Sequence, residues 1–285
     1  MGGAAHRRLI ATAAAVCAAE EAARIPGISC TGARGATLHV VEGSDAASSG
    51  AGSRPERLAR VLDLEHPREA LHADKLWHDA AIELLAPRDP VHASPMAVGR
   101  VLVPPATAKL GIISDIDDTI VYSQVTRKWR MILALAFSNA RTRKPFKGVA
   151  AFYRALHAGV NPLFYVSKSP WNLYAPLVEY LEVQGLPAGP LMLRDFGLRR
   201  EKEHKRKAIE QILATYPGLK FILIGDSGEE DPEIYSDIVH RFPTRIRVIY
   251  IRSVDPKRIP AVERLIQEVA KTGCQLVLAP DSEFA

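Results

Sequence analysis

Short apolar runs, each about the length of a buried strand, recur through the second half of the chain: residues 110–113 (LGII), 162–166 (PLFYV), 191–193 (LML), 220–225 (KFILIG) and 245–251 (RIRVIYI). Between them apolar positions return at helical spacing, over residues 149–157, at Ala208, Ile209, Ile212 and Leu213, and over residues 261–271. Short apolar runs alternating with amphipathic segments predict an α/β fold with a mostly parallel sheet, because strands covered on both faces read as continuous apolar stretches. A last strand is expected at an edge, over residues 275–278.

The first part of the chain lacks this rhythm. Residues 1–26 read as an Ala-rich helix, residues 31–53 are rich in Gly, Ser and Ala, with a short strand at 37–41 and a linker at 44–52, and residues 55–71 show helical spacing. From residue 76 the stretches LWHDAAIELLAPRDP and MAVGRVLVPP read as two β segments around a Pro/Asp turn. The expected organisation is a small N-terminal accessory region, partly β, over residues 1–104, and a main domain over residues 105–285. His78 and His92 stand alone in that first region and read as structural or solvated rather than as ligands.

Composition is that of an ordinary globular protein, 47% hydrophobic and 24% charged, with a formal net charge of +5. The first 100 residues hold 11 Lys and Arg against 12 Asp and Glu, and the rest hold 26 against 20, so the positive excess lies in the main domain. An anionic substrate or surface is the natural partner. Three widely spaced cysteines, Cys17, Cys30 and Cys274, suggest neither a disulfide framework nor a zinc site. No apolar run approaches the roughly 18 residues of a membrane span. The Ala-rich start continues into Glu20 and Glu21, which favours a helix in a cytoplasmic protein over a signal peptide.

Chemistry enters at the end of the first apolar run, where the chain reads SDIDDTIV and places Asp115, Asp117, Asp118 and Thr119 in five positions. Like charges this close repel, and burying them is costly unless they are paired or bound to a cation. Asp115 and Asp117, two apart in an extended chain, point to the same side. One could attack an electrophile while the other moves a proton, both beside a hard cation such as Mg2+. The sequence repeats this logic at residue 226, where the strand KFILIG delivers Asp226 and then Asp231 before a proline; Asp231 also has the spacing of a helix N-cap.

The DxDxT pattern of Asp115, Asp117 and Thr119 resembles the first motif of the haloacid dehalogenase superfamily, aspartyl phosphotransferases with a doubly wound sheet. Ser167, at the end of PLFYV, matches the second motif; a hydroxyl at a strand's carboxyl end can bond a phosphoryl oxygen, although a serine there can also cap the next helix. Lys205 and Lys207 compete for the third motif, and Lys205 is chosen because it lies four residues before Ile209 and shares its inward face. GDxxxxD, with Asp226 and Asp231, matches the fourth.

The local words RVLVPP, PFKGVAAFYRAL, NPLFYVSKSPWNLY, HKRKAI and FILIGDSGEEDPEIY are more specific, and resemble the phosphatidate phosphatase catalytic domain of the fungal actin-patch type and its bacterial relatives, more distantly the lipins. Lys168 departs from that pattern, which places a small or amide residue between the two serines. The resemblance implies Mg2+-dependent hydrolysis of phosphatidate to diacylglycerol and phosphate. Asp115 is then the nucleophile, Asp117 the proton donor, and Thr119, Ser167 and Lys205 complete the catalytic set. Asp115, Asp117, Asp226 and Asp231 hold the metal.

The alternatives are a phosphatase for a soluble phosphomonoester and an inactive scaffold that binds lipid or phosphoprotein. Residues 127–147, free of acids and carrying seven Lys and Arg around WRMILALAF, read as an apolar helix with basic ends. They stand where the superfamily inserts a small helical cap, and could rest on an anionic membrane surface, making the protein peripheral there. No aromatic platform or reading helix suggests nucleic acid. The oligomeric state is not legible.

Overall fold

The structure, a computed structural model, describes residues 37–40, 57–64, 75–84, 96–116, 148–194 and 201–279. The expected N-terminal helix, the 44–52 linker, the 127–147 segment, His92, Asp117, Asp118 and Thr119 lie outside them. The chain divides into two units, one within Met1–Thr107 and one formed by Ala108–Arg194 and Leu198–Ala285.

The first unit contains a four-stranded antiparallel meander of β1 (Thr37–Val40), β2 (Arg57–Leu64), β3 (Trp77–Leu84) and β4 (Met96–Leu102). Strands β3 and β4 are the two segments expected around the Pro/Asp turn. Strand β2 corrects the helical reading of residues 55–71. A bulge between Val61 and Asp63 breaks the two-residue alternation by which a strand is recognised, and pairing with β1 and β3 on its two sides decides the conformation. His78 is buried and its Nε2 donates to the Lys75 carbonyl at 3.2 Å, a structural bond.

In the second unit six parallel strands stand in the order β10-β9-β8-β5-β6-β7. They are β5 (Leu110–Asp115), β6 (Leu163–Pro170), β7 (Leu191–Arg194), β8 (Lys220–Asp226), β9 (Ile246–Arg252) and β10 (Gln275–Ala279). The connecting helices are α1 (Val149–His157), α2 (Tyr174–Val183), α3 (Glu201–Thr215), α4 (Asp231–Arg241) and α5 (Ile259–Ala270). As expected, β10 is an edge. Strand β6 runs four residues beyond its apolar stretch, through the polar sequence Ser167-Lys168-Ser169 to Pro170.

Both faces of the sheet are covered. Ile112, Leu163 and Ile222 lie side by side in register and pack with Val149 and Tyr153 of α1 and Leu177, Tyr180 and Leu181 of α2. On the other face Phe164 meets Tyr216, at the end of α3, with ring centroids 5.2 Å apart. Complete burial of side chains such as Ile113 and Leu223 stabilises by about 1.5–3 kcal/mol each. Gly111 has a packing reason, since a Cβ there would overlap the Phe221 ring in the neighbouring strand.

The order of strands fixes where a ligand can enter. From β5 the chain builds outward through β6 to β7, then returns across the sheet to lay β8 on the other side of β5. At such a reversal the segments leaving the two central strands diverge, and a crevice opens at their carboxyl ends. Asp115 closes β5 and Asp226 closes β8.

Candidate active site

Five of the side chains singled out in the sequence are fully buried around this crevice: Asp115, Ser167, Lys205, Asp226 and Asp231. The Lys205 ammonium, from α3, donates to Asp115 Oδ1 at 2.8 Å and to Asp231 Oδ1. Lys207 faces out, 72% exposed and 4.0 Å from Glu203 one turn earlier. The helical face that buries Ile209 and Ile212 therefore also brings Lys205 to the strand tips. Asp231 begins α4, whose N-cap is Glu230, so its carboxylate is not the cap that its place before proline suggested. It is taken up by Lys205 and by the Asp226 amide, which donates to Oδ2 at 3.4 Å. A Cβ at Gly225 would collide with that carboxylate, which explains a glycine at the end of β8.

Asp226 is held from the other side. Its Oδ1 accepts from the amides of Gly228 at 2.6 Å and Glu229 at 3.1 Å, while its Oδ2 is buried and accepts no hydrogen bond from any described residue. Ser167 follows Val166, the partner of Asp115 in the adjacent strand. Its hydroxyl accepts from the Ser169 amide at 2.9 Å, and α2 starts only at Tyr174 with no side-chain cap, so Ser167 is not a helix cap.

Three buried carboxylates face one buried ammonium, and the titration behaviour follows. Burial, with the Asp231 charge adding to it and Lys205 opposing, pushes the Asp226 carboxyl up to about 8. Burial also raises Asp231, against the pull of Lys205. For Lys205 burial acts downward, but Asp115 and Asp231 outweigh it and hold the ammonium well above the ordinary lysine range. Lys205 thus stays charged at neutral pH, and carboxyl groups outnumber it.

Asp115, Asp226 and Asp231 each offer one carboxylate oxygen, all within 4.8 Å of one another. An oxygen-only set of three carboxyl groups, with an unsatisfied buried Asp226 oxygen, suits a hard divalent cation, which would favour their ionised forms.

Three further features were not read from the sequence. The Ser114 hydroxyl donates to the Asp115 carbonyl at 2.7 Å and meets the Tyr153 hydroxyl at 2.5 Å, so Tyr153 donates into a relay that ends on the main chain of Asp115. Tyr153 lies among the apolar positions of α1 and gave no polar signal. Burial pushes its phenol well above the ordinary tyrosine range, so it remains a donor. Glu229 pairs with Lys168 at 3.1 Å. Arg258 donates to the carbonyls of Ser227 at 3.3 Å and Glu229 at 3.1 Å, and to Glu233, clamping the loop after Asp226.

Comparison with known proteins points to one family. The family model described as "Phosphatidate phosphatase APP1, catalytic domain" matches residues 110–253, a span that contains every described site residue named above except Arg258. Over 152 residues the chain is 37% identical to the "Phosphatidate phosphatase APP1" of Saccharomyces cerevisiae, covering 50% of this chain and 26% of that protein. It is 29% identical over 152 residues to an uncharacterised protein of Schizosaccharomyces pombe, covering 51% and 25%. The chain thus matches about a quarter of the length of these curated relatives.

Proposed function

Because the chain belongs to the family of the phosphatidate phosphatase APP1 catalytic domain, we propose that it hydrolyses phosphatidate to diacylglycerol and inorganic phosphate. The observation that carries this reading is the buried chain Asp115–Lys205–Asp231, with Asp226 beside it, at the carboxyl end of the central strand. A Lys205 locked between two carboxylates is costly as architecture and useful as chemistry.

In this reading Asp115 attacks phosphorus in line. An Asp115 oxygen–phosphorus bond forms, the bond to the glycerol oxygen breaks, and Asp117 gives its proton to the departing alkoxide. Asp117 then takes a proton from water, which attacks the phosphorus of the aspartyl-phosphate and frees Asp115. Lys205 keeps Asp115 oriented through its bond to Oδ1 and, with Ser167, holds the phosphoryl oxygens as charge moves across them. Asp115, Asp226 and Asp231, with the Asp117 carbonyl, would hold Mg2+, whose charge would screen nucleophile and phosphate from mutual repulsion. The Tyr153–Ser114 relay fixes the backbone from which Asp115 projects.

The lipid part of the reading rests on residues 127–147, whose basic and apolar composition suits an anionic membrane surface. Among the described residues no helix is long and apolar enough to cross a membrane. We place the protein in the cytoplasm as a peripheral enzyme, with residues 105–285 as the phosphatase domain and residues 1–104 as an accessory region.

The test is phosphate release from phosphatidate in mixed micelles, with Mg2+ and with EDTA, beside a panel of soluble phosphomonoesters and with Asp115→Asn as the blank. Metal-dependent release from phosphatidate supports the proposal. Release only from soluble esters would leave the chemistry and remove the lipid.

A further inference from the structure

Lys168 and Lys205 reach the mouth of the site from different elements, β6 and α3, and share one anion. Glu229 Oε2 lies 3.1 Å from Lys168 Nζ and 3.9 Å from Lys205 Nζ. The three side chains form a gradient outward, with Lys205 fully buried, Lys168 12% exposed and Glu229 30% exposed. Glu229 is absent from the group of acids that could share a metal; its carboxylate sits with the cations instead. Its main chain is fixed at both ends, the amide by Asp226 Oδ1 at 3.1 Å and the carbonyl by Arg258 Nη2 at 3.1 Å. The side chain therefore starts from a set position over the two ammonium groups.

Stability does not account for this arrangement. Lys205 already has Asp115 and Asp231, and Glu229 Oε2, buried beside the two ammonium groups, makes no hydrogen bond with a described residue. Two converging cations match a different ligand, a phosphoryl group, whose charge and accepting oxygens exceed those of one carboxylate. The Lys168 charge is felt at Asp231, which places it within electrostatic reach of the reacting centre.

We propose that Glu229 is an internal stand-in for the substrate's phosphoryl group, neutralising Lys168 in the resting site and yielding that lysine to the phosphate on binding. This rests on the phosphatase reading above and makes Lys168 a substrate-contacting residue. The exchange replaces one anion with another, so the incoming phosphate meets a site whose cations are held in place without being left bare. Glu229 is the most exposed of the three side chains, so its carboxylate exchanges the lysine for water when it turns outward. The built-in competitor also weakens retention of the product phosphate, because a ligand's apparent affinity falls by the fraction of sites held in the closed pairing.

The experiment is calorimetric titration of inorganic phosphate into the full chain with Mg2+ present, for the parent protein, Glu229→Gln, Lys168→Met and the double variant, with thermal unfolding recorded for each. Glu229→Gln is expected to tighten phosphate binding by about three- to tenfold, and Lys168→Met to weaken it about tenfold. In the double variant the gain disappears and binding matches Lys168→Met. Glu229→Ala, which removes the carboxylate without an amide, repeats the gain and guards against a folding defect in the glutamine variant. Unchanged or weaker binding in both Glu229 variants, the same gain on the Lys168→Met background, or no phosphate binding by the parent protein would overturn the proposal.

Turnover separates this outcome from the reaction itself. Phosphatidate hydrolysis with unaltered phosphate affinity in the Glu229 variants removes the stand-in and leaves the phosphatase. The predicted affinity pattern in a protein that releases no phosphate keeps the stand-in and removes the phosphatase.

Discussion

Lys205 Nζ lies 2.8 Å from Asp115 Oδ1, joining residues 90 positions apart in a place where neither side chain touches solvent. The bond requires α3 to lie against the tip of the central strand. Lys205→Met is accordingly expected to act on both fold and chemistry. It leaves Asp115 and Asp231 buried without their cation, a loss of about 3–5 kcal/mol in stability, and lowers kcat by about a hundredfold or more. Thermal unfolding and steady-state rates measured together check this, and a variant that keeps its melting temperature would contradict the burial argument.

Asp115→Asn separates the two effects. The amide keeps the shape of the side chain and relieves part of the negative excess, so the melting temperature stays within a few degrees of the parent's. Without the carboxylate that the proposal makes the nucleophile, turnover falls to the rate measured without protein. Near-normal turnover in a folded Asp115→Asn protein would remove Asp115 from the reaction.

Asp226 sets a pH dependence whose sign can be stated. Its folded pKa, about 8, lies above the ordinary carboxylate value of 3.8, with burial the larger cause and Asp231 the next. The folded state therefore holds a proton that the unfolded chain has lost, and metal-free stability declines as pH rises from about 4 through about 8. A cation needs the ionised form, so stabilisation by Mg2+ grows over the same interval. Melting curves in EDTA and in Mg2+ between pH 5 and 8.5 test both slopes. Metal-free stability that rises across this range contradicts the assignment.

Tyr153→Phe removes the hydroxyl that donates to Ser114 while keeping the ring edge-on to Phe152, with centroids 5.7 Å apart. The expected cost is about 1 kcal/mol of stability and a several-fold fall in kcat with KM little changed, because the relay positions Asp115 and touches no substrate. A change confined to KM would point to a different role.

Much of this was legible because the sheet is parallel and buried. Strands covered on both faces write themselves as apolar runs, so β5, β8 and β9 lie close to their expected places, and Asp115 and Asp226 stand out as charges at the ends of those runs. The three-four spacing of α3 separated Lys205 from Lys207 in the same way. Strand β2 was misread because its bulge erases the alternation, and pairing with β1 and β3 rather than its own pattern decides its conformation. The capping reading of Asp231 failed because a long-range ammonium outcompetes a local amide for its carboxylate. Glu229 and Tyr153 were missed for a related reason. One sits in an acidic run and the other on an apolar helix face, and only the tertiary structure brings each against its partner.

The central claim is that Asp115 carries the phosphoryl group during turnover. It is tested most directly by quenching the protein with borohydride while it turns over phosphatidate with Mg2+, since an aspartyl-phosphate is reduced to homoserine, and then mapping the product peptides by mass. The account predicts homoserine at position 115 in the parent protein and none without substrate. Phosphate release with position 115 unmodified, or with the modification at another carboxylate, would contradict it.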